Sequence, residues 1–183
     1  AIDVLRGGRE PEAKAHLEAQ DEYARAQLAR IPGREALLAR IRELSAANVS
    51  ITSVAIANGK VFYLKLAPGR ATPVLCVRDG FAGAERVLVD PAKFDAAPRR
   101  AALAWYHASP DGRRVAYGVA LGGTEDATLR VLEVAGGKDS GVAIDRARFN
   151  AQLGWHHDSN AFYYARVPEG QRGTTVGDFT EMQ

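Results

Sequence analysis

A serine hydrolase presents its nucleophile on a sharp strand-to-helix turn, Gly-x-Ser-x-Gly, beside an oxyanion hole. The nearest approach here is Ser140, flanked by Asp139 and Gly141. Two positions before it stands Lys138, where the motif needs glycine, so Ser140 reads as a loop residue between two strands. A Ser-His-Asp triad can also be assembled from distant residues, and the histidines on offer are His16, His107, His156 and His157. Nothing in their spacing selects a set. His156-His157-Asp158 carries residue types that suit zinc or manganese. Adjacent strand residues point to opposite faces, so the two imidazoles converge on one ion only across a turn. The expectation is a polar strand end without a metal. Cys76, in Val74-Leu75-Cys76-Val77, has no neighbouring base to lower its thiol pKa and reads as packed. Gly7-Gly8, Gly122-Gly123 and Gly136-Gly137 lack the spacing and the βα context of phosphate-binding loops. They read as turns, and no cofactor is expected.

The composition sets limits on partners. Twenty-four basic against 22 acidic side chains give a formal charge of +2, and the arginines are scattered. Neither a nucleic-acid nor a membrane partner is expected. No apolar run approaches the roughly 20 residues of a bilayer-spanning helix, and the first ten residues are too polar for a signal peptide. A single cysteine excludes an internal disulfide. The expected compartment is the cytoplasm, with the periplasm as the alternative if a leader ahead of Ala1 has been removed.

The 183 residues change character near Ala46. Before it, Ala13, Leu17, Ala24, Leu28 and Ile31 recur at helical steps, interrupted at Asp21. Pro11 suits a first helical turn, and Pro32-Gly33 ends the pattern. Leu37, Ile41 and Leu44 then predict a second, short helix, and the head as a whole is expected to pack on something else. After Asn48 the period drops to two, with turn signals at short intervals, as in an antiparallel meander. Four strands are expected near 49–57, 60–66, 73–78 and 86–89, separated by Asn58-Gly59, Pro68-Gly69 and Asp79-Gly80. Asn-Gly is a strong hairpin signal because both central residues of a type I′ turn need positive φ. A second set is expected near 103–107, 113–120, 128–134 and 142–145. A third begins near 153–156 and 161–166 and then fades. Trp105 and Trp155 open the second and third units 50 residues apart, within the range of four-stranded propeller blades.

Several segments, in order, resemble the N-terminal half of prolyl oligopeptidase family serine peptidases. Glu18-Ala19-Gln20-Asp21 and Ile31-Pro32-Gly33-Arg34 resemble the family's first helices. Gly59-Lys60-Val61-Phe62-Tyr63 resembles its first propeller hairpin. Val77-Arg78-Asp79-Gly80 and Arg86-Val87-Leu88-Val89-Asp90-Pro91 resemble the strand, turn and Asp-Pro exit that follow. The strongest pieces are the run from Ser109-Pro110-Asp111-Gly112 through Tyr117-Gly118 and Phe162-Tyr163-Tyr164-Ala165-Arg166. The third turn, His157-Asp158-Ser159-Asn160, departs from the family's usual Pro-Asp-Gly.

The resemblance implies a mainly β fold. Residues 1–46 would form an N-terminal helical segment, and 47–183 the first two to three four-stranded antiparallel blades of an incomplete β-propeller. It implies a two-part enzyme in which a C-terminal α/β-hydrolase domain, expected to be absent from this chain, cleaves short peptides. The propeller covers the active site and limits access, and this chain alone would be inactive, with no catalytic residue of its own. Arg148-Phe149-Asn150 resembles the family run that places an aromatic side chain on the propeller face turned to the active site, which makes Phe149 the substrate-binding expectation. Blades without neighbours would leave open faces and edges for self-association. Two rivals stay open: a propeller that binds other proteins without chemistry, and a self-contained β-sandwich.

Overall fold

The computed structural model describes residues 10–124, 126–147 and 153–167, and the chain divides into two compact units, 1–48 and 49–183. In the first unit, α1 (Glu10–Ala29) and α2 (Arg34–Ala47) follow the alanine-, leucine- and glutamate-rich stretches. Pro11 sits in the first turn of α1, and Gly33, at φ 78°, reverses the chain before α2. The helices carry surface ion pairs such as Arg25–Asp21 at 2.8 Å and Arg40–Glu43 at 2.7 Å, each worth little in water. Leu17, Leu37 and Ile41 of their apolar stripe are about half exposed or more.

The second unit is a meander of short antiparallel sheets. The first sheet runs in the order β1 (Ser50–Ala57), β2 (Lys60–Leu66), β3 (Val74–Asp79), β4 (Arg86–Val89). A 3-10 turn, Pro91–Phe94, leads on, capped by the Asp90 carboxylate, which accepts from the Ala92 N–H at 3.1 Å. The second sheet runs β5 (Ala101–Ala108), β6 (Arg114–Leu121), β7 (Ala127–Glu133), β8 (Lys138–Ile144). A two-stranded hairpin follows, β9 (Leu153–Trp155) and β10 (Phe162–Tyr164). This is a partial β-propeller of two four-stranded blades and the start of a third, preceded by helices. Asn58 and Gly59, at φ 46° and 74°, form the hairpin turn that their types foretell. Two strand expectations shift: β8 begins at Lys138 instead of near 142, and the third unit's strands are three residues each. The Asp139-Ser140-Gly141 run imitates a turn because Gly141 holds φ 81° and its N–H bonds Asp139 Oδ1 at 2.8 Å; the ladder bulges here and resumes on either side, with Leu132 paired to Asp139 and Arg130 to Ala143.

The blades pack face to face through two seams. Phe62, Leu75, Val77 and Val89 of the first sheet meet Leu103, Val115, Tyr117, Val119 and Leu132 of the second. On the second sheet's other face, Trp105, Leu129 and Val131 pack with Leu153, Trp155 and Phe162. A bulge in β5 divides these duties. Leu103 pairs with Val119 and Trp105 with Gly118, so the extra residue turns two side chains that a regular strand would point the same way onto opposite faces. Trp105 lies against Gly118, where a Cβ would come within 2.5 Å of ring atom Cε2. Each seam also has a polar stitch. The Tyr106 hydroxyl bonds the main-chain carbonyls of Phe62, at 3.1 Å, and Ser53, while Trp155 Nε1 donates to the His107 carbonyl at 3.0 Å.

The first sheet's far face has no such covering. Val61, Tyr63, Val74 and Cys76 form a small cluster there. On the same face by register, Ile56 and Val87 are 64% and 55% exposed. A polar group is set into this surface. Glu85 accepts from Lys65 Nζ at 2.7 Å, from the Tyr63 hydroxyl at 2.6 Å and from Arg78 Nη2 at 3.2 Å, and Arg78 Nε bonds the Tyr63 oxygen at 2.7 Å. Lys65, Tyr63 and Arg78 together hold the Glu85 carboxyl down from 4.5 to about 2 against the effect of burial.

Gly118→Ala forces a methyl into the Trp105 ring and should destabilise the chain by ~1–3 kcal/mol in urea unfolding, as core overpacking does. Gly136→Ala, which meets nothing within 4 Å, should cost under ~1 kcal/mol. Equal losses would contradict the ring contact. A carboxyl whose folded pKa is depressed stabilises above its unfolded pKa, and that contribution fades as pH falls from about 4.5 to about 2. Thermal unfolding of Glu85→Gln should therefore depend less on pH than the parent's in that window, and parallel profiles would show that the cluster contributes nothing.

Candidate functional site

The residues singled out for chemistry do not converge. Ser140 lies on exposed β8, and its Oγ accepts a long 3.4 Å bond from the Val142 N–H. His16 is on α1, His107 on β5, and His156 and His157 follow β9. The two adjacent imidazoles do approach each other, with ring centroids 4.2 Å apart, because β9 ends at Trp155 and His157 already belongs to the turn. His156 Nδ1 is engaged by Asp158 Oδ1 at 2.8 Å, and the Asn160 N–H and His156 hold that carboxyl near 2. Among the described residues no three metal-ligating side chains share a site. Cys76 is fully buried, and burial pushes its thiol up to about 11, so it is protonated and inert at neutral pH. Phe149 lies outside the described residues.

What the chain does build is a body with two unlike ends, because successive connections of a meander alternate between them. One end carries the hairpins β1–β2, β3–β4, β5–β6, β7–β8 and β9–β10. The other carries the β2–β3 turn, the β6–β7 connection and the link from β4 to β5.

At the hairpin end, the first turns of the three units are laced together. Ser109-Pro110-Asp111-Gly112 is held internally: the Ser109 hydroxyl donates to Asp111 Oδ1 at 2.6 Å, and the Arg113 and Arg114 N–H groups bond Asp111 Oδ1 and Ser109 Oγ at 3.0 and 2.9 Å. Ser109 and these donors hold the Asp111 carboxyl below its ordinary value. Asn58 Nδ2 of the first unit donates to the Asp111 carbonyl at 3.0 Å, and the Asp111 N–H donates to Ser159 Oγ of the third at 3.1 Å. Gly112, at φ 65°, passes so near the Ala57 carbonyl that a Cβ would sit 2.8 Å from it. Sequence reasoning saw these three runs as separate turns. Their shared polar, side-chain-bonding types were the available sign that they meet.

At the connection end, two shallow hollows of about 330 and 320 Å³ open. The first is lined by Phe94, Arg99, Asp126 and Arg130, with the Arg130 guanidinium over the Phe94 ring at 5.1 Å and Phe94 6.5 Å from Tyr117. The second is lined by Arg70, Thr72, Asp95 and Arg100, with Arg70 paired to Asp90 at 2.5 Å. Both are polar, positioned by the sheets and devoid of a nucleophile–base pair, so they suit binding more than bond-breaking.

Comparison with known proteins agrees with this architecture. The model of the prolyl oligopeptidase N-terminal β-propeller domain matches residues 4–182. Among solved structures, one from a study of two prolyl endopeptidases and the role of inter-domain dynamics in their catalysis and specificity superposes with a TM-score of 0.71 at 33% identity, over 87% of this chain and 23% of its own. Prolyl oligopeptidase B from Galerina marginata, bound to a 25mer macrocyclization substrate, superposes at 0.68 and 20% identity, over 90% of this chain and 25% of its own. The apo form of that enzyme gives 0.52 at 20% identity, over 81% and 24%. These last two speak for the fold alone. The chain thus spans about a quarter of the length of the solved structures it matches. With the family's propeller model matched over almost the whole of this chain, the chain belongs to the prolyl oligopeptidase family, as part of the N-terminal β-propeller domain.

Proposed function

We propose that this chain is the propeller-side part of a serine peptidase that cleaves short peptides, and that its connection end limits which substrates reach a hydrolase domain carried on further sequence. The observation that supports this most is the family match over residues 4–182 in a chain equivalent to a quarter of peptide-cleaving relatives. The chemistry agrees, since the described residues offer hollows with charged and aromatic walls and no assembled triad. Phe149, by its place between β8 and β9, is the residue proposed to contact the peptide. Without later blades, the first sheet's face around Ile56 and Val87 is proposed to drive self-association of the isolated chain.

Light scattering on the isolated chain should report a species larger than one protomer, and Ile56→Lys, which charges the open face, should shift it toward monomer. A monodisperse monomer without the substitution would refute the open-face reading. The chain alone should leave a proline-containing reporter peptide intact. Joined to its hydrolase domain, it should cut the free peptide at least roughly a hundredfold faster than the same sequence in a folded protein's surface loop, a difference of ~2.7 kcal/mol in barrier. Phe149→Ala in that longer protein should raise KM about tenfold with kcat little changed, as loss of uniform binding does. Equal rates on both substrates would sink the gating proposal, and an unchanged KM would remove Phe149 from the site.

A further inference from the structure

The hairpin end holds a feature that the role as a cover does not use. At the seam between the first and second sheets a cleft of about 310 Å³ opens beside the laced turns, lined by Lys60, Arg86, Arg113, Arg114 and Glu133 above the backbone of Gly112. Several cations elsewhere in the body are paired to carboxylates: Lys65 and Arg78 to Glu85, Arg70 to Asp90 and Arg130 to Asp139. The arginines of the cleft are treated differently. Arg86 crosses the seam, where its Nη2 donates to the Val134 carbonyl at 3.1 Å and its Nη1 to that of Ala135 at 3.5 Å. Arg114 Nη1 donates to the Ser159 carbonyl at 3.1 Å. Carbonyls hold a guanidinium in place without cancelling its charge. Arg113 makes no side-chain hydrogen bond, and none of the three arginines forms an ion pair among the described residues. Glu133 stands opposite Arg114 across β6 and β7 without closing on it. Four cations, set against Glu133, the Asp79 carboxylate paired to Lys60 and the Asp111 carboxylate that feels Arg113, leave one positive charge in excess.

We infer that this cleft binds an oxyanion of the phosphate class, as the free ion or as the terminal group of a small monoester. A guanidinium presents five N–H donors in a planar fork that matches such oxygens, and Arg86 and Arg114 have most of theirs unspent. Because both are already fixed by main-chain partners, a ligand orders few side chains on arrival. Both blades of the seam are complete, so the cleft does not depend on sequence beyond this chain. The inference therefore stands or falls independently of the peptidase reading.

Equilibrium dialysis of the 183-residue chain against radiolabelled phosphate, at ionic strength fixed with chloride, tests it in whatever association state the chain adopts. One saturable site per chain is expected, with Kd on the order of 1 mM. Arg86→Gln and Arg113→Gln should each weaken binding about tenfold, as loss of a charge-assisted contact does. Arg86 also spans the seam and Arg113 faces the Asp111 carboxylate, so circular dichroism checks the fold of both variants, and Arg113→Gln, whose side chain makes no hydrogen bond among the described residues, is the cleaner report on binding. Glycerol 3-phosphate displacing the label at lower concentration than phosphate does assigns a monoester, and displacement only at equal or higher concentration assigns the free ion. Absence of saturable binding up to roughly 20 mM, or unchanged binding in folded Arg113→Gln, overturns the inference.

Discussion

A sheet with two apolar faces is stable only if both are covered, and the second blade is the one described sheet that meets this condition on each side. The demand falls on β5, which must send Leu103 one way and Trp105 the other within three residues. The bulge between them is the backbone solution, and Gly118 is its steric counterpart on β6, since no other residue leaves room for the indole. Tyr106 and Trp155 then satisfy their own polar atoms by reaching across each seam to a main-chain carbonyl. Burial thus sets both the distance between blades and their rotation about one another.

The same rule explains the surfaces. The first sheet's far face carries apolar side chains at covered spacing but keeps Ile56 and Val87 in water, with a charged cluster on Glu85 set among them. Such a face, polar groups satisfied from within and apolar groups waiting for a neighbour, suits sheet-on-sheet contact without cross-sheet hydrogen bonds. The two ends of the body divide other tasks. Hairpin turns lock the units through Asn58, Asp111 and Ser159, and the connection end is left to hollows whose walls are arginine, aspartate and phenylalanine.

Much of this was legible in the residues. Period-two patterning and the Asn58-Gly59, Asp79-Gly80 and Ser109-Pro110-Asp111-Gly112 turns place most strands within one or two positions of where they lie, because turn chemistry is local. The start of β8 is not legible because Asp139-Ser140-Gly141 has turn chemistry and sits at a bulge, with pairing to β7 resuming on both sides of it. The approach of His156 to His157 was missed because it depends on β9 stopping at Trp155. The arginine cleft was out of reach for a deeper reason. Lys60, Arg86 and Arg113 are far apart in sequence, and only the seam between blades brings them to one hollow. Scattered charge along a chain says little about charge in space.

Cys76 gives this architecture an internal gauge. It is the one thiol in the chain, roofed by Val61, Tyr63 and Val74, and burial keeps it protonated at neutral pH. An alkylating reagent can reach it only when that roof lifts. Its rate of labelling is therefore a clock for local opening of the first sheet, set to run slower whenever another sheet is laid over it.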